Sequence, residues 1–415
     1  AARTFRGFMT QAGGTTQTAP AGNGSLDVGG GIVGIGAPLK PEELARCVRE
    51  LRRSDAFGPG KPFEAPTVVV ATFIDRFGAG KSSRGFLSYG KTGVWRLGGS
   101  AAHFGVPLLL MGLGLPKLEP PLASLNEKKK WVAWLTLRRA VQLVHALWPA
   151  DPPLVAFADG FDVVVANRPS DAAVRALRAR TAAQGAILMS AECNSWPRCF
   201  RTQYRADPAF VECAGRSSTC FLNAGVGIAD PATWQRFLVG ALLPLVPRTP
   251  ADVLPDDQGA LHELYLARRS RGIVPMHIDD QSTFALTFYR CLNESVFWER
   301  PSKYPKGPPK WNRCTSGGEY KPEIHTQVSD EGVRFNSPTG EQRPLLMHMP
   351  GAEQKTQPLS ELGTLMDSLS AAMQKHSRFT TAGGGGNVLL TDSTAHGLCS
   401  VRRLAETSFV PVGVV

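Results

Sequence analysis

The sequence predicts an α/β fold, with one doubly wound sheet covered by helices on both faces. Three observations carry that expectation. Short apolar runs rich in β-branched residues recur along the chain. Helical patterns separate them, as between parallel strands. One of the runs ends in a pair of carboxylates on a glycine turn, at the edge where open α/β sheets bind ligands.

The elements follow in order. Residues 1–36 are Gly/Thr/Ala-rich and read as a disordered tail. Residues 37–65 form an N-terminal helical extension, in which PEELARCVRELRR places Pro41 near the first helical position and acids in the first turn. Thr67–Ala71 is a buried strand after Pro66. Residues 73–126 are glycine-rich with few clear elements. Residues 127–148 make the strongest helix, and Pro149 stops it. Leu154–Ala158 is a second strand, 170–183 an Ala/Arg helix and Ala186–Ala191 a third strand. Thr219–Ala229 is a strand with glycine kinks. Residues 231–245 and 256–269 are helices, and Ile273–Ile278 is a strand. Residues 296–343 read as irregular, Leu345–His348 as a late short strand, 358–376 as a helix and 382–386 as a linker into a flexible tail. The expected division is therefore a tail (1–36), an extension (37–65), one domain (66–352) and a C-terminal helix and tail (353–415).

Composition narrows the function. Of 415 residues, 43% are apolar and 20% charged, which excludes a chain disordered throughout. Gly 43 and Pro 32 show no Gly-X-Y period, so the chain is not itself collagen. No apolar run is long enough to span a membrane. The net charge of +11 is scattered, densest at Lys128-Lys129-Lys130, and no nucleic-acid fingerprint accompanies it. Nucleic acid is thus not an expected partner. The eight cysteines form no CxxC pair. Four fall between 193 and 220, and Cys291 and Cys314 bracket a Pro/Lys-rich loop. Such clustering suits loop-stapling disulfides in a secretory lumen, with Cys291–Cys314 the preferred pair; buried free thiols are the alternative. The sequon Asn293-Glu294-Ser295 also favours the lumen of the endoplasmic reticulum or Golgi.

The chemistry concentrates in FADGFD, Phe157–Asp162. Asp159 and Asp162 converge at a strand end, where they repel each other unless a cation lies between them. Hard oxygen ligands suit Mg²⁺ or Mn²⁺ with phosphate oxygens completing the shell. The other reading of such acids is turn capping. His348 ends a short strand, and a neutral imidazole there would complete a metal shell. The lysines at 128–130 begin a long helix and could meet a diphosphate there. Asp256-Asp257-Gln258 opens another helix, as caps or as groups that orient an acceptor hydroxyl or the donor sugar. A similar triplet, Asp279-Asp280-Gln281, follows a strand.

Taken together, VVVAT, the lysine-led helix, FADGFD, SAECNSWP, FLNAGVGIA, PDDQ, IDDQSTF and MHMPG resemble, in that order, the glycosyltransferase domain of the multifunctional procollagen lysyl hydroxylases and the collagen hydroxylysine glycosyltransferases. The resemblance covers roughly residues 66–352. It implies a GT-A fold, a mixed Rossmann-like sheet flanked by helices, and a UDP-sugar donor (UDP-glucose or UDP-galactose) with Mn²⁺ the usual metal. The acceptor it implies is a protein or glycan hydroxyl, hydroxylysine of a collagen-like protein among them. It makes Asp159, Asp162 and His348 the metal ligands. Thr72, Lys130 (or Lys129), Phe161, Asn223 and Gly351 fall on the donor and acceptor sides, Phe161 against the uracil. Trp196 matches a sugar-pocket tryptophan, and Asp256 and Asp257 match acids needed for transfer. One departure stands out: the family has His-x-Asn-Gly where this chain has His348-Met349-Pro350-Gly351. A nucleotide-sugar-binding domain without turnover is the alternative within the same fold, and a basic polymer-binding protein is the alternative outside it.

Overall fold

A computed structural model describes residues 37–53, 65–73, 97–98, 100–101, 103–113, 125–160, 162–192, 200–214, 217, 219–245, 257–269, 275–287, 326–329, 331–337, 340–348, 388–392 and 400–401. The helices are α1 (Pro41–Arg53), α2 (Leu125–Leu147), α3 (Asp171–Gln184), α4 (Arg201–Arg205), α5 (Pro208–Ala214), α6 (Pro231–Phe237) and α7 (Asp257–Arg269). The strands are β1 (Val68–Phe73), β2 (Leu108–Leu113), β3 (Leu154–Ala158), β4 (Val163–Val165), β5 (Ile187–Glu192), β6 (Phe221–Ala229), β7 (Met276–Asp279), β8 (Ala285–Thr287), β9 (Thr326–Ser329), β10 (Gly332–Ser337), β11 (Gly340–Gln342), β12 (Leu346–His348), β13 (Val388–Asp392) and β14 (Ser400–Val401).

Eleven strands form one sheet in the order β14-β13-β2-β1-β3-β6-β5-β8-β12-β4, with β7 also on β5. Strand β1 runs parallel to β2 and β3, and β5 parallel to β7 and β8. Between these two parallel sets lies β6, antiparallel to both β3 and β5. The expected doubly wound sheet is present, and it is mixed. Every residue of β1, β3, β5 and β6 is buried, as their unbroken apolar runs require.

Apolar clusters cover both faces. On one, α1, α2, α6 and α7 pack through Leu51, Trp131, Trp134, Trp234 and Leu261. On the other, Leu97, Phe104, Val174 and Leu177 cover Val70, Ala156 and Ile228. Helix α2 is buried almost all round, because it is wedged among α1, α6 and the sheet. Its one polar stripe, Arg138, Arg139, Gln142 and His145, holds the less buried positions. Local chemistry sets the starts of α3 and α6. The Ser170 hydroxyl caps α3, and Asp230 caps α6 by accepting from the Thr233 N–H at 2.8 Å before Pro231.

Five expectations change. The segment 37–65 is more than an extension: Cys47 and Leu51 of α1 are core residues, and the Arg52 guanidinium donates to the Leu147 carbonyl at 2.9 Å. The stretch 73–126 contains β2, whose run LLLMGL was masked by surrounding glycines. Residues 326–342, read as irregular, form the antiparallel sheet β11-β10-β9. The tail contributes β13 and β14, which extend the main sheet beyond β2. Helix 231–245 ends early, at Phe237, and continues as a π turn over Leu238–Leu242. The tail 1–36 and the helix expected over 358–376 lie outside the described residues.

The small sheet is pinned by one side chain. Asn167 donates to the Val333 and Pro344 carbonyls at 2.8 and 2.7 Å and accepts from the Val333 N–H at 3.1 Å. Gly332, at φ +126°, leaves the space: a Cβ there would lie 2.1 Å from Asn167 Oδ1. Asn167→Ala leaves buried backbone groups without partners, so we expect a loss of about 2–3 kcal/mol. Urea denaturation measures it.

Candidate metal and transfer site

Strand pairing assembles the site. Asp159 follows the last residue of β3, and its N–H donates to the Gly225 carbonyl of β6 at 2.8 Å. Asp162 directly precedes β4. Strand β12 pairs antiparallel with β4, so that His348 stands opposite Val163, one residue from Asp162. A chain separation of 186 residues is closed by three register pairs. One ligand atom from each of Asp159, Asp162 and His348 lies within 4.8 Å of the others.

The imidazole fits a cation. His348 Nε2 lies 3.5 Å from Asp162 Oδ1 and 3.9 Å from Asp159 Oδ2, contacts without hydrogen-bond geometry. Both ring nitrogens are buried and lack a hydrogen-bond partner. A buried imidazole so placed is costly unless something else takes its lone pair. Asp159 keeps 47% of its side-chain surface open, Asp162 only 13% and His348 2%, so the cluster has one open side, at Asp159. This donor set of two carboxylates and an imidazole could hold a divalent cation.

Gly225 makes room for the ring. A Cβ at this position would fall 2.2 Å from His348 Cε1 and 2.6 Å from Nε2. The glycine of FLNAG is a site residue that the sequence showed only as a strand kink.

Charge is tuned by the same crowding. Surrounding protein strips water from Asp159, the Asp162 carboxylate repels it, and the carboxyl is pushed up to about 7, against the pull of His348 and Lys130. Solvent at its open side screens part of that repulsion. Burial alone would lower His348, but the Asp162 and Asp159 carboxylates, with Glu192 beyond, outweigh it and its pKa is raised.

A second group flanks the acids. Lys130 Nζ donates to Asp257 Oδ1 at 3.0 Å, and Trp134 Nε1 donates to Asp257 Oδ2 at 3.1 Å. Helix α2 thus presents two donors, one turn apart, to the first residue of α7. Gln258 Nε2 donates to the Glu192 carboxylate at the end of β5, and Gln258 Oε1 accepts from the Ala224 N–H at 3.2 Å. The structure therefore brings Asp159, Asp162, His348, Lys130 and Asp257 to one sheet edge. Thr72 is buried beneath it and donates to the Ala158 carbonyl at 2.7 Å. Asn223 Oδ1 accepts from the Ser190 hydroxyl at 3.1 Å and the Gly225 N–H at 2.9 Å. Phe161, Trp196, Asp256 and Gly351 lie outside the described residues.

The other acidic triplet is structural. Buried Asp279 accepts from the Thr283 hydroxyl and from the Phe284 and Ala285 N–H groups, which folds the turn into β8. Cys213 and Cys220 form a disulfide that ties α5 to the start of β6, and Cys47 is also disulfide-bonded. Cys291 and Cys314 lie outside the described residues. No described helix is long and apolar enough to cross a membrane.

No protein-family model matches the chain, and no curated protein does. Among solved structures, the chain is similar to an active-site mutant of LgtC. The likeness covers 74% of this chain and 95% of that one, at 12% identity and a TM-score of 0.32.

Two predictions follow from this geometry. Gly225→Ala forces the His348 ring aside, and we expect it to weaken Mn²⁺ binding by about tenfold or more; calorimetry on the variant checks this, with circular dichroism as the control for folding. Second, Asp159 and His348 both bind protons more tightly folded than unfolded. The stability these protons supply is therefore lost as pH rises, for Asp159 from about 4 to about 7. A cation competes with the same protons. The rise in Tm caused by Mn²⁺ should be small at pH 5.5 and should grow through pH 7 to 8.

Proposed function

We propose that the chain is a metal-dependent glycosyltransferase of GT-A type. On this reading it moves a hexose, glucose or galactose, from a UDP-sugar to a hydroxyl acceptor. The carrying observation is the Asp159–Asp162–His348 cluster, in which a buried imidazole with two unpartnered nitrogens faces two crowded carboxylates. The ordered sequence motifs support the donor class. A divalent cation held by these three side chains would withdraw charge from the donor diphosphate and favour its departure.

The chain's own residues supply the rest. Lys130 places a cation beside the acids and can turn from Asp257 to a phosphate oxygen. That turn frees Asp257 Oδ1 to orient the acceptor hydroxyl, while Trp134 holds Oδ2. Thr72 ties β1 to the end of β3 and so fixes the edge beneath the nucleotide. Asn223 shapes the β6 wall on the acceptor side. Phe161, Trp196 and Gly351 take the roles that the resemblance implies, against the uracil, the sugar and the donor, and Asp256 is an acid needed for transfer. Hydroxylysine of a collagen-like protein is the acceptor to try first. The disulfides fit the secretory lumen.

One observation favours a second reading, a nucleotide-sugar-binding domain without turnover: Met349-Pro350 stands where the resembled family has x-Asn. UDP release from a panel of UDP-hexoses, with and without Mn²⁺ and a hydroxylysine peptide, separates the two. We expect metal-dependent release that falls by roughly 10²-fold or more in Asp162→Ala. Metal-dependent UDP binding with no release from any donor would select the second reading. Absence of both would overturn the site.

A further inference from the structure

A second buried polar group beside His348 has no partner. Thr287 ends β8, is 3% exposed, and its hydroxyl oxygen makes no hydrogen bond. Strands β8 and β12 run parallel, and Thr287 is the register partner of His348. Register partners in adjacent strands point to the same face of the sheet. The pairs beside them agree, since Ala285 and its partner Leu346 share one apolar cluster. Thr287 and His348 therefore stand side by side, with an orphaned hydroxyl next to an orphaned imidazole.

The two deficits are chemically matched. His348 turns Nε2 toward the carboxylates. For that nitrogen to offer a lone pair, the proton must sit on Nδ1, and a buried N–H needs an acceptor. No backbone carbonyl or carboxylate takes it, because Nδ1 is unpartnered. A threonine hydroxyl accepts such a proton and keeps its own O–H to donate onward.

We propose that Thr287 is the positioning residue of His348. Its hydroxyl accepts the Nδ1 proton, by rotation about χ1 or through one ordered water, and so fixes the tautomer that leaves Nε2 open to the cation. The inference rests on the metal-site reading above. It adds a residue that touches neither metal nor donor and acts through the imidazole.

Three forms of the full chain test it: wild type, Thr287→Val and Thr287→Ser. Mn²⁺ affinity is read by calorimetry and the His348 tautomer by ¹⁵N NMR of the metal-free protein. We expect Thr287→Val to bind Mn²⁺ about 10–100-fold more weakly and to lose the Nδ1–H tautomer. Its metal-free Tm should fall slightly, since the buried Nδ1–H loses its acceptor. Thr287→Ser should restore affinity to within about threefold of wild type, which a packing role for the γ-methyl would not do. Thr287→Ala carries the same comparison should the valine variant not fold. Equal affinities and an unchanged tautomer in wild type and Thr287→Val would overturn this proposal and leave the metal site standing. Failure of wild type to bind Mn²⁺ would overturn the metal site, and with it this role.

Discussion

Two carboxylates and an imidazole converge on one strand edge, and the register of β12 is what brings them there. Leu346–His348 hydrogen-bonds to β8 on one side and, antiparallel, to β4 on the other. A slip of one residue would turn the imidazole to the opposite face of the sheet, away from Asp162. Several other features hold that register. Val163 and Leu346 are fully buried apolar residues whose burial would be lost on slipping. Asn167 holds the Pro344 carbonyl two residues before β12. The small sheet β9–β11 precedes β12 in the chain and is tied to the same asparagine, so it anchors the approach to His348.

The antiparallel strand β6 has an equally specific duty. Its middle approaches the site so closely that only glycine fits at 225, while the carbonyl of that glycine accepts the Asp159 N–H. One residue therefore yields space to the imidazole and fixes the backbone of a carboxylate. Asn223 and Gln258 hold the neighbouring peptide groups, so the wall is set by hydrogen bonds as well as packing. Such rigidity matters in a site where a small displacement removes a ligand from reach.

Much of this was legible in the sequence, because it is local. FADGFD announces its carboxylates on a strand-end turn, and the apolar runs announce β1, β3, β5 and β6. The lone histidine after Leu346 became informative once the other motifs stood in order. What was not legible depends on pairing over long distances. No local pattern tells that β6 runs against both neighbours, since a fully buried strand reads the same in either direction. Thr287 looks like any β-branched residue, and only its register with His348 gives it meaning. Asp279 and Asp257 belong to similar acidic triplets. One is consumed by backbone N–H groups of its own turn and the other by side chains from a distant helix, a difference that local sequence does not encode. Residues 326–342 looked irregular because glycines and charges interrupt their alternation. Backbone pairing forms the small sheet, and Asn167, from far outside the segment, ties it down at Val333.

The link between the core and the chemistry runs through α2. Trp134 packs its ring 4.4 Å from that of Phe157 on β3 and sends its indole N–H to Asp257. A residue with such a partner cannot be read as core or as site, because it is both. Lys130, one turn earlier, keeps 36% of its side-chain surface exposed and completes the carboxylate's shell from the solvent side. The asymmetry is informative. The buried donor fixes where Asp257 stands, while the half-exposed donor can leave without disturbing the core. A phosphate-bearing ligand that drew Lys130 away would leave Asp257 anchored by Trp134 and open on one oxygen. On the proposed function, a donor phosphate at Lys130 would thereby free a carboxylate of Asp257, with no movement of the backbone required.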